Sequence, residues 1–503
     1  MTTALLSLDL GTTHLKAGLF TPDGSLIKIA SRDIITRQHP SGSAYFDPQE
    51  LWASVIEIIN EVTQGVDARE IAAVGIASMA ETGLLIDKRD GEPRFPLIPW
   101  FDAAAIPQVE VLKSTGEPRE RFCRSGIRPN SKCGLAKLLW LQQEHPDSLP
   151  GTTWLSTADF IAFRLSGAMV TDYSLAGRTY AFRIDQKTWD DDWLQSFGFH
   201  AGQFPHPVPS GQPIGGILSE SASRIGLLEG TPVAVCGHDH VCAAFTGVGY
   251  DTGKIFDSMG TAEALVGSLD KEALGDSEYR SGLVFGCHVA GGGYYWMGGI
   301  SASGGSLEWL RCLLGDPPLT YQEIEDLLEK ASSEPTGILY FPYLSGSSSP
   351  HTDSLARGAF IGLTKDHTRS DLVKAVLEGT SYEAEFIRIR AQEILGEEIG
   401  LITASGGGTR SSHWMQIKAD ISGCPIEVPA MREATLLGAA LVVGIGIGLY
   451  ADPQEALSKV AVDPDQIYTP DESHHKIYQQ VYQDGYLPLQ SPLRQASHLL
   501  ARG

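Results

Sequence analysis

The chain has 503 residues, of which 42% are hydrophobic and 20% charged, with a formal net charge of −23; this is the composition of a globular protein long enough for more than one domain. The acidic balance excludes a binder of nucleic-acid backbone, which needs a basic excess to displace counterions. The 7 cysteines are scattered without a CxxC pair, as expected of free thiols in a reducing, cytoplasmic compartment, and Asp9 interrupts an N-terminal apolar run that lacks a basic leader segment, so neither a secretory signal nor a membrane partner is expected.

The first element is a hairpin. Leu6, Leu8 and Leu10 alternate with Ser7 and Asp9, then Gly11, Thr12 and Thr13 break the run before Leu15, Ala17, Leu19 and Phe20. Such a turn presents N–H groups and hydroxyls to phosphate oxygens, with Asp9 placed for a cation and Lys16 for a phosphate; an ordinary solvated hairpin is the alternative. Residues 47–62 read as an amphipathic helix capped by Asp47 ahead of a proline. Residues 71–79 read as a buried strand, and 134–146 as a helix ended by proline. Residues 231–245 run from a strand through the polar turn CGHDH into a helix.

The second half restarts the theme. Residues 254–268 repeat the outline of strand, Gly-Thr turn and strand, which suggests two similarly built domains and a hinge near residues 246–254. Glycine-rich turns at 298–310 and 404–416 each lie between a strand-like and a helix-like run, where backbone can approach an anion closely. No GxxxxGK[ST] or strand–helix GxGxxG occurs, so the site is neither a P-loop nor a dinucleotide fold. The glycine-rich apolar stretch 436–451 is shorter than the about 20 residues of a membrane span and reads as a buried helix. The alternation of strands and helices throughout makes the class α/β.

In this order, DLGTTHLKAGLF, TDYSLAGRTYAF (171–182), CGHDH, SMGTAEAL, the stretch 344–379 and SGGGTRSSHWMQ with its continuation to 441 resemble the FGGY carbohydrate kinases, within the actin-like ATPase superfamily. The resemblance implies two actin-like (ribonuclease H-like) α/β domains, 1–247 and 248–503, with a nucleotide cleft between them. It implies a kinase that uses ATP and Mg²⁺ to phosphorylate a small sugar, a ketose such as a pentulose, with a polyol or a sugar acid as alternatives. By the same resemblance Asp9 would hold Mg²⁺, and Gly11, Thr12, Thr13 and Lys16 would cradle the β- and γ-phosphates. Gly260 and Thr261 would contact phosphate from the second domain, Gly304 would lie near the α-phosphate, and Gly407, Gly408 and Ser411 would border adenosine. Asp239 would take the proton of the attacking hydroxyl, while Glu81, Trp100 and His240 would line the sugar pocket beside it. The family includes monomers, dimers and tetramers, so a homodimer is compatible with it.

Departures from the pattern leave the subfamily open. Ala80 stands where glycerol kinases carry an arginine, alanine follows Met79 where xylulokinases carry histidine, Gly134 replaces a usual Ser, Thr or Pro, and the run Asp102–Ala105 lacks a common arginine. Lys132, near a substrate-contacting position of some members, reads first as a solvent-facing lysine and second as a positive charge for the pocket, which would favour a sugar acid. Two other classes compete. A metal-dependent hydrolase would use His238 and His240 from one face of a strand, without a clear third ligand. An actin-fold ATP switch would share the phosphate hairpins but have no use for a pocket of Glu81, Trp100 and Asp239.

Overall fold

The structure is a computed structural model that describes residues 3–39, 42–430, 433–460 and 464–501. Two sheets of the same design carry the chain. In the first half, β1 (Ala4–Leu10), β2 (His14–Phe20) and β3 (Leu26–Asp33) form an antiparallel meander. Helix α1 (Pro48–Thr63) follows, its first N–H groups donating to the Asp47 carboxylate and its apolar face of Leu51, Trp52, Val55, Ile58, Ile59 and Val62 buried on the sheet. The chain then returns as β4 (Ile71–Ser78), parallel to β1. Helix α2 (Gly134–Glu144) belongs to a side lobe, and its last turn gives way to a short 3₁₀ turn at Pro146, as the proline requires. The edge strand β5 (Gly215–Gly216) and β6 (Pro232–His238) complete the order β5-β6-β4-β1-β2-β3, with β6 parallel to β4.

After helix α3 (Asp239–Val248) the second half repeats the plan. Strands β7 (Lys254–Met259) and β8 (Glu263–Leu269) form the second hairpin; β9 (Val284–Cys287) and β10 (Tyr294–Ile300) extend it. Helices α4 (Gly304–Leu314) and α5 (Arg369–Leu395) precede β11 (Leu401–Ser405), which runs parallel to β7. Helix α6 (Ser412–Ser422), β12 (Ile426–Pro429), helix α7 (Ala434–Gly446) and β13 (Pro464–Tyr468) finish a sheet ordered β9-β10-β8-β7-β11-β12-β13. The hairpin-plus-parallel-strand pattern occurs in both sheets, as the recurring Gly-Thr outline suggests. Helix α7 ends at Gly446, short of the expected 451, because Gly448 turns the chain at φ 76°.

Helices α3 and α7 cross between the sheets and exchange sides. α3 leaves the first sheet and packs on β7 and β8, whereas α7 leaves the second sheet and packs on β1, β4 and β6. Their backbones touch: a Cβ at Gly438 would lie 2.1 Å from the Cys242 carbonyl oxygen. The carboxyl ends of β1, β4 and β6 open at one edge of the first sheet, the position where α/β sheets bind ligands.

Candidate active site

Asp9 and Lys16 face each other across the first hairpin. Asp9 is held out of water, and burial with the nearby Asp239 charge pushes its pKa up to about 8, against the pull of Lys16 and with a further push from Glu433. Its Oδ1 is buried without a hydrogen-bond partner. A carboxylate oxygen kept dry beside a second carboxylate is the donor arrangement that suits a hard divalent cation. Gly11 closes the turn by donating to the His14 carbonyl at 3.0 Å, while Thr13 stays exposed. Lys16 Nζ donates to Glu433 Oε2 at 2.8 Å, linking the first hairpin to the start of α7.

The expected sugar-site residues beside this edge are carried by a side sheet of Gly83–Asp87, Pro93–Ile98 and Thr152–Ser156. Glu81 enters it with φ 61°, a left-handed conformation that a glutamate adopts at a cost. Two contacts hold it there. Arg178 Nε donates to Glu81 Oε1 at 3.0 Å, and Lys137 Nζ donates to the Glu81 carbonyl as well as to those of Ile98 at 3.0 Å and Pro99 at 2.9 Å. Burial would raise the Glu81 pKa, but Arg178, Lys132 and Lys137 hold it below the ordinary value. Burial pushes Lys137 down to about 7. Trp100 forms a wall: its indole N–H donates to Thr12 Oγ1 at 2.9 Å and its backbone N–H to Thr82 Oγ1 at 3.0 Å. Thr12 therefore joins the phosphate-type hairpin to the pocket wall. Lys132 does not face solvent, as its first sequence reading has it; its Nζ lies 4.9 Å from the centre of the Trp100 ring, because the loop before α2 folds back over the indole.

Asp239 opens α3 directly after β6. Its Oδ1 accepts from the His240 N–H at 2.6 Å and lies 3.2 Å from His238 Nε2. Burial raises its pKa, His240 opposes the rise and Glu81 adds to it. Burial, His240 and Arg178 hold His238 well below its ordinary value, hence neutral. The strand end is fixed by the 171–182 segment: His238 N–H donates to Ser174 Oγ at 2.9 Å, and the Ser174 and Leu175 N–H groups donate to Asp172. His238 and His240 do not share one strand face, because the strand ends at His238 and the helix begins at Asp239. Ligand atoms of His238, Asp239 and His240 still lie within 4.8 Å of one another.

The second sheet gathers the remaining expected residues. Gly260 and Thr261 form the exposed turn of the β7–β8 hairpin, and the N–H groups of Gly304 and Gly305 donate to their carbonyls at 3.1 and 2.9 Å. A Cβ at Gly304 would lie 2.5 Å from the Gly260 oxygen, so only glycine permits this contact. Gly407 and Gly408 lie in a 3₁₀ turn after β11, with Gly408 against Met259 at the end of β7. Ser411 Oγ accepts from the Trp414 N–H at 3.3 Å and caps α6. Behind the hairpin, buried Lys418 Nζ donates to Asp257 Oδ2 and Glu263 Oε1, each at 2.6 Å, and Ser303 Oγ donates to Glu263 Oε2 at 2.5 Å.

Arg178, Lys137, Lys418 and Glu433 escaped the sequence reading as individual residues. Arg178 lay in a segment already singled out, and Lys137 sat on the buried face of an apolar helix, which was a usable signal. Lys418 and Glu433 lie in the 405–441 stretch, but their partners are 155 and more residues away, so no neighbouring residue signals the contact.

Comparison with known proteins identifies the family. The sequence model described as the FGGY family of carbohydrate kinases, N-terminal domain, matches residues 4–246, and that of the C-terminal domain matches residues 258–447. A glycerol kinase of Gloeobacter violaceus is 29% identical, covering 92% of this chain and 91% of its own. A xylulose kinase of Staphylococcus epidermidis is 28% identical, covering 95% of each. The crystal structure of gluconate kinase from Lactobacillus acidophilus superposes with a TM-score of 0.89 at 25% identity, covering 99% of this chain and 98% of that one. The chain, with its two actin-like halves, belongs to the FGGY family of carbohydrate kinases.

Proposed function

We propose that this carbohydrate kinase transfers the γ-phosphoryl group of ATP to a hydroxyl of a small sugar, with Asp239 as the general base. The observation that carries the reading is Asp239: a half-buried carboxylate at a strand–helix junction, its pKa raised by burial, within electrostatic reach of Asp9 at the first hairpin and of Glu81. Phosphoryl transfer asks for positioning and charge neutralisation more than covalent help. Asp9 would hold Mg²⁺, and Mg²⁺ bound there would supply charge neutralisation for the β- and γ-phosphates. Gly11, Thr12, Thr13 and Lys16 orient those phosphates from the first unit (1–247). Gly260, Thr261 and Gly304 do so from the second (248–503), where Gly407, Gly408 and Ser411 border adenosine. Glu81 binds acceptor hydroxyls, Trp100 packs on a carbon face, and His240 steadies Asp239 through its N–H.

Three acceptor classes meet this description: a ketose such as a pentulose, a polyol and a sugar acid, in keeping with the xylulose, glycerol and gluconate kinases it resembles. The seven cysteines are all free, which supports a reducing cytoplasmic setting.

ADP release measured over ketopentoses, ketohexoses, polyols and sugar acids tests the reading. Acceptor-dependent release is expected, and Asp239→Asn is expected to lower kcat by about 10²–10⁴ with ATP affinity near wild type by calorimetry. Release independent of any acceptor would instead mark an ATP switch. Near-normal turnover of the Asn variant would remove the general-base assignment.

A further inference from the structure

The cations of the acceptor pocket are not equally satisfied. Arg178 is paired with Glu81, and Lys137 has three carbonyl acceptors. Among the described residues Lys132 Nζ has no hydrogen-bond acceptor and no carboxylate at ion-pair distance; its contact is the face of Trp100 at 4.9 Å. Its position is nonetheless fixed. The Lys132 N–H donates to Asn130 Oδ1 at 2.9 Å, Asn130 Nδ2 donates to the Arg128 carbonyl at 3.0 Å, and Cys133 Sγ donates to the Asn130 carbonyl at 3.1 Å. The indole beneath it is anchored on Thr12. An ammonium group withdrawn from water and left unpaired is unfavourable unless something arrives to pair with it. Burial accordingly lowers the Lys132 pKa, while Glu81 supports its charge.

Glu81 acts electrostatically on both Lys132 and Asp239. The unpaired cation, on the Trp100 face, and the base thus both lie within electrostatic reach of one carboxylate. An acceptor seated across the three presents a hydroxyl to Asp239, further hydroxyls to Glu81 and an anionic group to Lys132.

We infer that the acceptor is a sugar acid of the aldonate class, with Lys132 binding its carboxylate and Asp239 facing the hydroxyl that is phosphorylated. The inference rests on the kinase reading above and narrows its substrate. The acceptor oxygen forms the new O–P bond, the bond from Pγ to the bridging oxygen breaks with its electron pair left on ADP, and the hydroxyl proton passes to Asp239 and then to water. A carboxylate on ammonium is a charge-assisted contact, stronger than a neutral hydrogen bond and absent for an uncharged analogue.

Paired acceptors isolate that contact. Each four- to six-carbon aldonate is compared with the alditol of the same configuration, which replaces only the carboxylate by a hydroxymethyl group. For at least one pair, the wild-type enzyme should show kcat/KM about 10–150-fold higher for the aldonate, the range expected for one hydrogen bond to a charged group. Lys132→Met should raise the aldonate KM by a similar factor, leave kcat within a few-fold and bring the pair close to parity. Lys132→Arg, which keeps the charge, should recover much of the preference and shows that loss in the Met variant is not misfolding. Calorimetric titration of the aldonate without nucleotide should lose its heat in Lys132→Met. A wild-type preference for an alditol or a neutral ketose, or an aldonate KM unmoved by Lys132→Met, overturns the sugar-acid inference and leaves the kinase standing. Absence of ADP release with every acceptor overturns both.

Discussion

Lys137 shows how one buried side chain can fix a local geometry through backbone carbonyls alone. Its three donors meet the carbonyls of Glu81, Ile98 and Pro99, at the two ends of the loop-bearing strands that frame the acceptor site. The Glu81 carbonyl is one of them, so Lys137 helps maintain the left-handed backbone at φ 61° that aims the Glu81 carboxylate at Arg178. Lys137→Met fills the same volume and leaves three buried carbonyls without a donor. We expect a loss of about 2–4 kcal/mol in stability, because unsatisfied buried acceptors cost about 1–3 kcal/mol each and part of the charge burial is relieved. The same variant should raise the acceptor KM while leaving the ATP KM near wild type, since Glu81 is free to relax toward negative φ. Thermal denaturation and steady-state kinetics check the two halves separately. A variant with unchanged acceptor KM would show that the Glu81 geometry does not depend on Lys137.

At the scale of elements, the helix Thr157–Ser166 begins with a reciprocal cap: the Asp159 N–H donates to Ser156 Oγ and the Ser156 N–H donates to Asp159 Oδ2 at 2.9 Å. Burial pushes the Asp159 pKa up to about 7, against its bonds to Ser156 and with help from Asp172. Its folded pKa is thus raised above the ordinary 3.8, so the group's contribution to stability is fully present at low pH. It is lost as pH rises through that interval to about 7, where the folded state still holds a proton that the unfolded state has released. Asp159→Asn cannot titrate, so the wild type minus variant difference in melting temperature should fall between pH 4 and pH 8, and a constant difference would refute the shift. Such capping patterns are also where the sequence is most readable. Asp47 before Pro48, the apolar face of α1, both Gly-Thr hairpins and the strand–helix junction at Asp239 all follow from neighbours within a few positions. The glycine turns at the strand ends are legible for the same reason, because they are local chemistry. The Lys418–Asp257–Glu263 cluster and the Arg178–Glu81 pair are different: each is two or three polar residues that look solvated in sequence and become buried only when distant strands meet. Lys132 illustrates the same limit, since nothing around it in the chain announces that its loop folds over Trp100.

At the scale of the whole molecule, the exchange of α3 and α7 ties the two sheets through a crossed pair of helices and leaves their hairpin turns to approach across the cleft. Gly11–Thr13 belongs to the first sheet and Gly260–Thr261 to the second, and in the proposed reading a single triphosphate meets both. Besides α7 on the first sheet, the units touch where the Phe285 N–H donates to the Gly126 carbonyl at 2.9 Å and Arg119 pairs with Asp276. A further link is Lys16 to Glu433, a partly exposed pair that joins the first hairpin to the start of α7. A phosphate on Lys16, as proposed, would compete with Glu433 for the same ammonium and so couple nucleotide binding to the relative placement of the units. Binding both ligands is therefore expected to close the cleft, with the crossed helices as the pivot. Small-angle scattering can read this against a radius of gyration of about 23 Å for a compact chain of this length. The radius should fall when acceptor and a non-hydrolysable ATP analogue are present together. Glu433→Gln leaves Lys16 uncompensated, so it should tighten binding of the ATP analogue, whose phosphates no longer compete for that ammonium. A radius unchanged by both ligands would count against closure, and analogue affinity unchanged in Glu433→Gln would show that Lys16 does not exchange the carboxylate for a phosphate.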